Sequence, residues 1–425
     1  MPNPDLIAHG ERTRKDIIRL AAGMWTAVGY AASNVHMIEG RESVTIIDTT
    51  ESTGAAENIV AEFRKLTTKP VGRIIYTHSH RDHISGAAVF SDGSVPVFAN
   101  HLFSSDLVGV DETRIAPNKA LGRRTQAQFG IGLGPQERIS LGCGPGDRPM
   151  EGLGAGYIEP TERISEDVEI DLDGIVANLI LAPGETPDHM VVWLPEQRIL
   201  FCGDNWYHAF PNLYAIRGTP YRDFSAWAAS LDQLAKLNAD ILAPGHTRPV
   251  FGAENVRDVL TSTRDAILHV MRETADAMDR RLSMDDIATN IRLPDELADK
   301  PGLKEYYGKI AWSARAFAAG TLGWYDGNPT NLGSISTVER ARHMAALAGG
   351  TDAPMRAARN TPDIQWRLEL CDQLIAIVPA AFYYLGFRNR DIKPVVWIRR
   401  SKARFGRRYY LPTVSLPSPP RRVAK

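Results

Sequence analysis

From Met24 to Ile38, and again from Ser43 to Thr49, apolar and polar residues alternate in short β-branched runs. That period-two pattern predicts paired strands with a turn at Glu39-Gly40-Arg41. The period then changes: Gly54 to Lys65 has helical spacing, and Val71 to Tyr76 is a fully apolar strand. A strand, helix, strand order implies layered α/β architecture. A second set of strands is predicted over Val168 to Leu172, Ile175 to Leu181, Met190 to Leu194 and Ile199 to Phe201, and the two sets suggest two sheets facing each other. Between them, from about Leu107 to Gly156, glycines crowd and apolar periodicity is lost, so a long loop over the mouth of a site is expected. Those glycines do not follow a strand and open a helix, which argues against a phosphate-cradling loop. From Asn255 to Arg281 and from Pro294 to Leu322, apolar residues recur three and four apart, and a separate helical domain is expected to begin there.

Composition narrows the class. A chain of 425 residues, 44% hydrophobic, can bury a large core and has room for two or three domains. Lys and Arg number 49 against 50 for Asp and Glu, so net charge points to neither nucleic acid nor a polyanionic partner. The distribution is uneven: from Val378 onward Arg and Lys face a single acidic residue, Asp391. Such a tail can bind nucleic acid or anionic membrane, but without a motif it reads as solvated. Cys143, Cys202 and Cys371 are too few and too far apart for a disulfide framework and suit a reducing compartment. The first twenty residues carry charges throughout and do not read as a secretory signal, and no run approaches the roughly 20 apolar residues needed to span a bilayer. A soluble, cytoplasmic protein is expected.

The chemistry concentrates at Thr77-His78-Ser79-His80-Arg81-Asp82-His83, directly after the apolar run. Three imidazoles and a carboxylate on one loop at a strand end are good ligands for zinc. Two ions a few ångströms apart need about six or seven protein ligands, so the rest must come from later loops. Pro183 to His189, Gly203-Asp204-Asn205 and the apolar run Ile241 to His246 fit that demand. Asp48, ending its strand, either supports the histidines from behind or is a turn residue. Arg123, Arg124 and Arg138 read as solvated surface rather than as contacts to an anionic substrate.

The H-x-H-x-D-H pattern and the later loops resemble the metallo-β-lactamase superfamily. Asp204 to Gly218 with Tyr221-Arg222-Asp223 resembles its alkylsulfatase branch, as do Tyr306-Tyr307-Gly308, Trp312-Ser313 and Leu322 to Leu332, which look like that branch's dimerisation signature. The resemblance covers roughly residues 4 to 375. It implies a metallo-β-lactamase αββα sandwich followed by an all-α dimerisation domain: a catalytic domain over 1–253, a helical dimerisation domain over 254–350, and a remnant helix with a basic tail over 351–425. By the same resemblance, the sterol-carrier-like domain that usually ends members of the branch is expected to be missing. It also implies two Zn2+ ions, one held by His78, His80 and Glu185 and the other by Asp82, His83 and His246, with Asp204 bridging. His189 is a rival ligand, and Asp204 stands where the branch usually has glutamate.

By the same resemblance the reaction is hydrolysis of a small-molecule alkyl sulfate to alcohol and inorganic sulfate by metal-activated water, in a homodimer. Asp82 and His208 are the candidate catalytic residues, His208 either as general acid or as an orienter of substrate. Asn212, Arg217 and Arg222 are candidate substrate contacts, since guanidinium forks suit tetrahedral oxyanions. Whether water attacks sulfur or carbon stays open. So do two rival readings: hydrolysis of another ester, thioester or lactam on the same core, and a non-catalytic binding protein that uses its basic tail.

Overall fold

The computed structural model describes residues 4–105, 118–134 and 137–378. The basic tail and part of the glycine-rich stretch lie outside these residues.

Seven strands form the first sheet in chain order: β1 (Asp16–Ala21), β2 (Met24–Val28), β3 (Val35–Glu39), β4 (Val44–Ile47), β5 (Val71–Ile75), β6 (Val97–Asn100) and β7 (Glu162–Ile164). The first four pair antiparallel, and β4 to β7 are parallel. The switch needs a crossover, supplied by the helix Thr53–Phe63. Ser52 starts that helix by accepting the Ala55 amide at 3.2 Å. Its face carrying Ala56, Ile59 and Phe63 packs on Val35, Met37, Ile46 and Ile74.

The second sheet runs in the order β13-β12-β11-β10-β9-β8, from β8 (Val168–Asp171), β9 (Val176–Leu181), β10 (Met190–Leu194), β11 (Ile199–Gly203), β12 (Ile241–Pro244) and β13 (Val250–Phe251). It repeats the device of the first: an antiparallel meander from β8 to β11, then a crossover helix, Phe224–Lys236, that sets β12 parallel to β11.

The two sheets meet through Ile38, Ile47 and Ile75 of one and Leu179, Val192, Phe201 and Ala243 of the other, all fully buried. Each such side chain contributes roughly 1.5–3 kcal/mol of transfer free energy. On the outer face of the second sheet, Val191, Trp193 and Leu200 pack against Trp227 and Leu231 of the crossover helix and against Leu260 and Ile267 of the long helix Ala253–Asp279. The layering is therefore αββα, with the strand-end loops free to build a site. Helices Met284–Asn290 and Ile310–Leu322 continue this compact unit as far as Gly327.

Among the described residues, a second unit contains Lys119–Ile131 and residues 328–378. It holds the helices Thr337–Leu347, Asp352–Asn360 and Ile364–Ile377; the last two share a small core of Ala358, Cys371 and Leu374, while Leu332, Leu347 and Trp366 are exposed.

The expectation of an unbroken loop from about Leu107 to Gly156 needs correcting. A helix, Asn118–Gln128, lies within it. The stretch is rich in Ala, Leu, Arg and Gln, all good helix formers, and it lacks the apolar stripe by which helices are usually noticed. Strands β1, β6 and β7 escaped the period-two reading because they are short or carry charges on half-exposed faces.

Candidate functional site

The loops that follow β4, β5, β11 and β12, with the β9–β10 loop, converge at one end of the sandwich. Asp48 closes β4 with φ 58°, a left-handed conformation that turns its carboxylate toward the next loop. There it accepts the Thr77 amide and hydroxyl, both at 2.8 Å, and the His83 Nδ1 proton at 2.7 Å. His83 therefore presents Nε2 inward. His78 is fixed the same way, with Nδ1 3.0 Å from the Thr77 hydroxyl, and His246 through Nδ1 to the Ala32 carbonyl at 2.7 Å. Gly203 and Gly245 make room for this convergence: a Cβ on Gly203 (φ 48°) would stand 2.6 Å from His189 Nε2, and one on Gly245 2.7 Å from Asp204 Oδ1.

Two groups of ligand atoms result, each within 4.8 Å of one another: His78, His80 and Asp204, and Asp82, His83 and His246. Asp204 reaches both, with Oδ2 3.8 Å from His78 Nε2 and 3.2 Å from His246 Nε2, and Oδ1 3.4 Å from His83 Nε2. Glu185 falls outside the first group but is adjacent to it, Oε1 lying 3.8 Å from His80 Nδ1. His189, the rival ligand, spends Nε2 on the Asp204 backbone amide at 2.9 Å and stacks on His78.

Donor chemistry and electrostatics fit divalent cations. His83 Nε2 and Asp204 Oδ1 are buried and have no hydrogen-bond partner, a costly state for two polar atoms unless a cation lies between them. Burial, with neighbouring imidazoles, holds His78 well below the usual histidine range, and burial with Arg217 and Arg222 does the same for His80, so both are neutral with lone pairs to give. Burial opposes protonation of His83 and His246 too, but Asp204 outweighs it and raises both, His246 to about 9. Asp204 itself is driven well below the carboxylate range by those imidazoles despite burial. Asp82 is the open member, with a side chain 31% exposed.

Beside these residues stands a cluster of cationic and hydrogen-bond-donating groups. Asn212 Nδ2 is buried with no hydrogen-bond partner. Arg217 bonds Tyr307 and interacts with Glu185 and Asp82. Arg222 is buried and gives its contacts to Glu185, at 2.6 Å, and to the Asn212 carbonyl. His208 sits behind the His246 loop: its Nδ1 donates to Thr247 Oγ1 at 3.0 Å and its Nε2 accepts from Arg12 at 3.0 Å. Burial and Arg12 lower it to about 3, so it is neutral, with its proton turned to Thr247. Sequence reasoning missed Thr77, Arg12, Thr247 and Tyr307 as neighbours of the site. Only Thr77, inside the histidine loop, and Tyr307, inside the dimerisation signature, carried a local signal.

This geometry can be set beside known proteins. A model of the metallo-beta-lactamase superfamily matches residues 28–246, and one of alkyl sulfatase dimerisation matches 283–382. The chain is 35% identical over 382 residues to a linear primary-alkylsulfatase of Pseudomonas sp., a match covering 85% of this chain and 72% of that protein. It belongs to the alkylsulfatase branch of the metallo-beta-lactamase superfamily. Among other members of the branch, alkyl/aryl-sulfatase BDS1 of Saccharomyces cerevisiae is 32% identical, the match covering 85% of this chain and 58% of that protein. The structure of the stereoselective inverting sec-alkylsulfatase Pisa1 from Pseudomonas sp. superposes with a TM-score of 0.80 at 27% identity, covering 97% of this chain and 68% of that one. The matches to four curated alkylsulfatases span from 55% to 72% of their lengths. Among the described residues, no helix is long and apolar enough to cross a membrane.

Proposed function

We propose that this chain hydrolyses alkyl sulfate esters to an alcohol and inorganic sulfate with two zinc ions, one held by His78, His80 and Glu185 and the other by Asp82, His83 and His246, with Asp204 between them. The observation that carries the reading is the pair of ligand groups joined by one carboxylate and flanked by a buried, unpartnered amide donor on Asn212. A bound ion pair supplies Lewis acidity and makes hydroxide available near neutral pH.

The remaining roles belong to this chain's own residues. Asp82, the most open carboxylate of the ligand set, accepts the proton released from the attacking water. Asn212 Nδ2 and the Arg217 guanidinium bind the sulfate oxygens, on which negative charge grows as the ester opens. Arg222 supports that pocket from beneath, holding the Asn212 carbonyl and Glu185. His208 orients the substrate side of the pocket through Thr247 rather than giving up a proton, since its Nε2 is already taken by Arg12. Asp204, one methylene shorter than the glutamate usual in the branch, would serve as a ligand to both ions. The helical region matched as a dimerisation domain pairs two chains, covering Leu332, Leu347 and Trp366. Three free, buried cysteines suit a reducing, cytoplasmic setting.

The test is a series of alkyl sulfates of increasing chain length, assayed for free sulfate with the zinc-loaded chain and with His80→Ala. Sulfate release by the first and loss of at least a hundredfold in the second are expected. A zinc-loaded sample that opens a lactam or thioester and leaves every sulfate intact would overturn the reading.

A further inference from the structure

Glu185 has a partner that ligation alone does not call for. Its Oε1, the oxygen nearest His80, lies 2.6 Å from Arg222 Nη1, and both side chains are 2% exposed. The same guanidinium nitrogen donates to the Asn212 carbonyl, which fixes the arginine from a second side. In the other ligand group the carboxylate faces imidazoles: Asp82 Oδ2 lies 3.5 Å from His246 Nε2 and 3.7 Å from His83 Nε2. One group thus offers a carboxylate in direct contact with a guanidinium, whereas in the other the close contacts of the carboxylate are the group's own imidazoles and Arg217 acts on Asp82 only through its charge.

We propose that Arg222 competes with an incoming metal ion for Glu185, so that the Asp82, His83 and His246 position fills first and the His78, His80 and Glu185 position fills second and more weakly. This rests on the two-ion reading above. The physical reason is twofold. A guanidinium in contact with the ligand oxygen draws off its charge and repels a divalent ion in a medium where little water screens it. The same contact stabilises the metal-free state, because a buried carboxylate with no cation beside it is strongly unfavourable and Arg222 removes that cost. Arg222 is on this account a positioning residue that acts through Glu185, and it sets how readily the second ion comes and goes.

The experiment titrates zinc into the chelator-stripped full chain against a chromophoric competitor, with stoichiometry from atomic emission. For the wild type we expect two ions per chain in two steps, separated by about tenfold or more in affinity. Arg222→Met is expected to tighten the weaker step by about tenfold and to leave the tighter one unchanged, and Arg222→Gln, which can still donate to the Asn212 carbonyl, to move the same way if the methionine variant does not fold. Arg222→Lys, which keeps the charge, stays close to wild type, and Glu185→Gln removes the weaker step alone. Two ions of equal affinity in the wild type, or a neutral Arg222 variant whose weaker step is unchanged or weakened, overturns the inference while leaving the two-ion reading intact. Fewer than two ions at saturation overturns the two-ion reading itself, and this inference with it.

Discussion

Asp48 Oδ2 lies 2.7 Å from His83 Nδ1 although 35 positions separate the two residues, and both side chains are fully buried. The bond selects the tautomer of His83 and aims its other nitrogen at Asp82 and Asp204. Asp48→Ala should therefore lower zinc affinity by about 10–100-fold with little change in far-UV circular dichroism. Equilibrium dialysis against a chelator series checks this, and unchanged affinity would remove Asp48 from the site.

Stability is expected to fall in acid, and His36 accounts for part of the fall. Burial, with the nearby His83, lowers His36 to about 3, and neither ring nitrogen has a hydrogen-bond partner. Between the ordinary value of about 6.5 and about 3 the unfolded chain binds a proton that the folded chain refuses. This proton linkage adds no cost above pH 6.5 and progressively destabilises the fold as pH drops toward 3. His36→Leu should flatten that loss by up to about 1.4 kcal/mol per pH unit. Denaturant midpoints measured from pH 7 to pH 4 give the comparison.

Gly203→Ala should cost more than about 2 kcal/mol, because the new methyl group would meet both His189 Nε2 at 2.6 Å and Thr77 at 2.8 Å in a backbone conformation that alanine resists. Urea unfolding measures the loss. Because Asp204 is the next residue, zinc stoichiometry should drop as well.

Leu347 is 84% exposed on a helix whose buried face contributes little more than Ala341. If the helical region pairs two chains, Leu347→Glu should shift sedimentation toward the monomer while leaving zinc content unchanged.

The layered fold and the ligand loops were legible because both are local signals. The sandwich announces itself by period-two runs, and the histidine loop by six residues whose chemistry has few other uses. What stayed hidden was written in long-range pairings. Nothing around Arg222 distinguishes a guanidinium that faces solvent anions from one locked to Glu185, 37 positions earlier, and the choice depends on which loop the fold brings beneath it. Arg12 reaches His208 across 196 positions, and no spacing rule spans that distance. The helix Asn118–Gln128 was missed for the opposite reason: its propensity is good, but it buries too little apolar surface to show a stripe.

His246 is aimed by a peptide carbonyl, that of Ala32, where His83 is aimed by a carboxylate side chain. A single-base change can erase Asp48, but no codon at position 32 can delete a main-chain oxygen. What can be lost there is the space around it, since a methyl group on Gly144 would press within 2.6 Å of that oxygen. Genetic fragility on this side of the centre is therefore displaced from the anchoring residue to a glycine more than a hundred codons downstream.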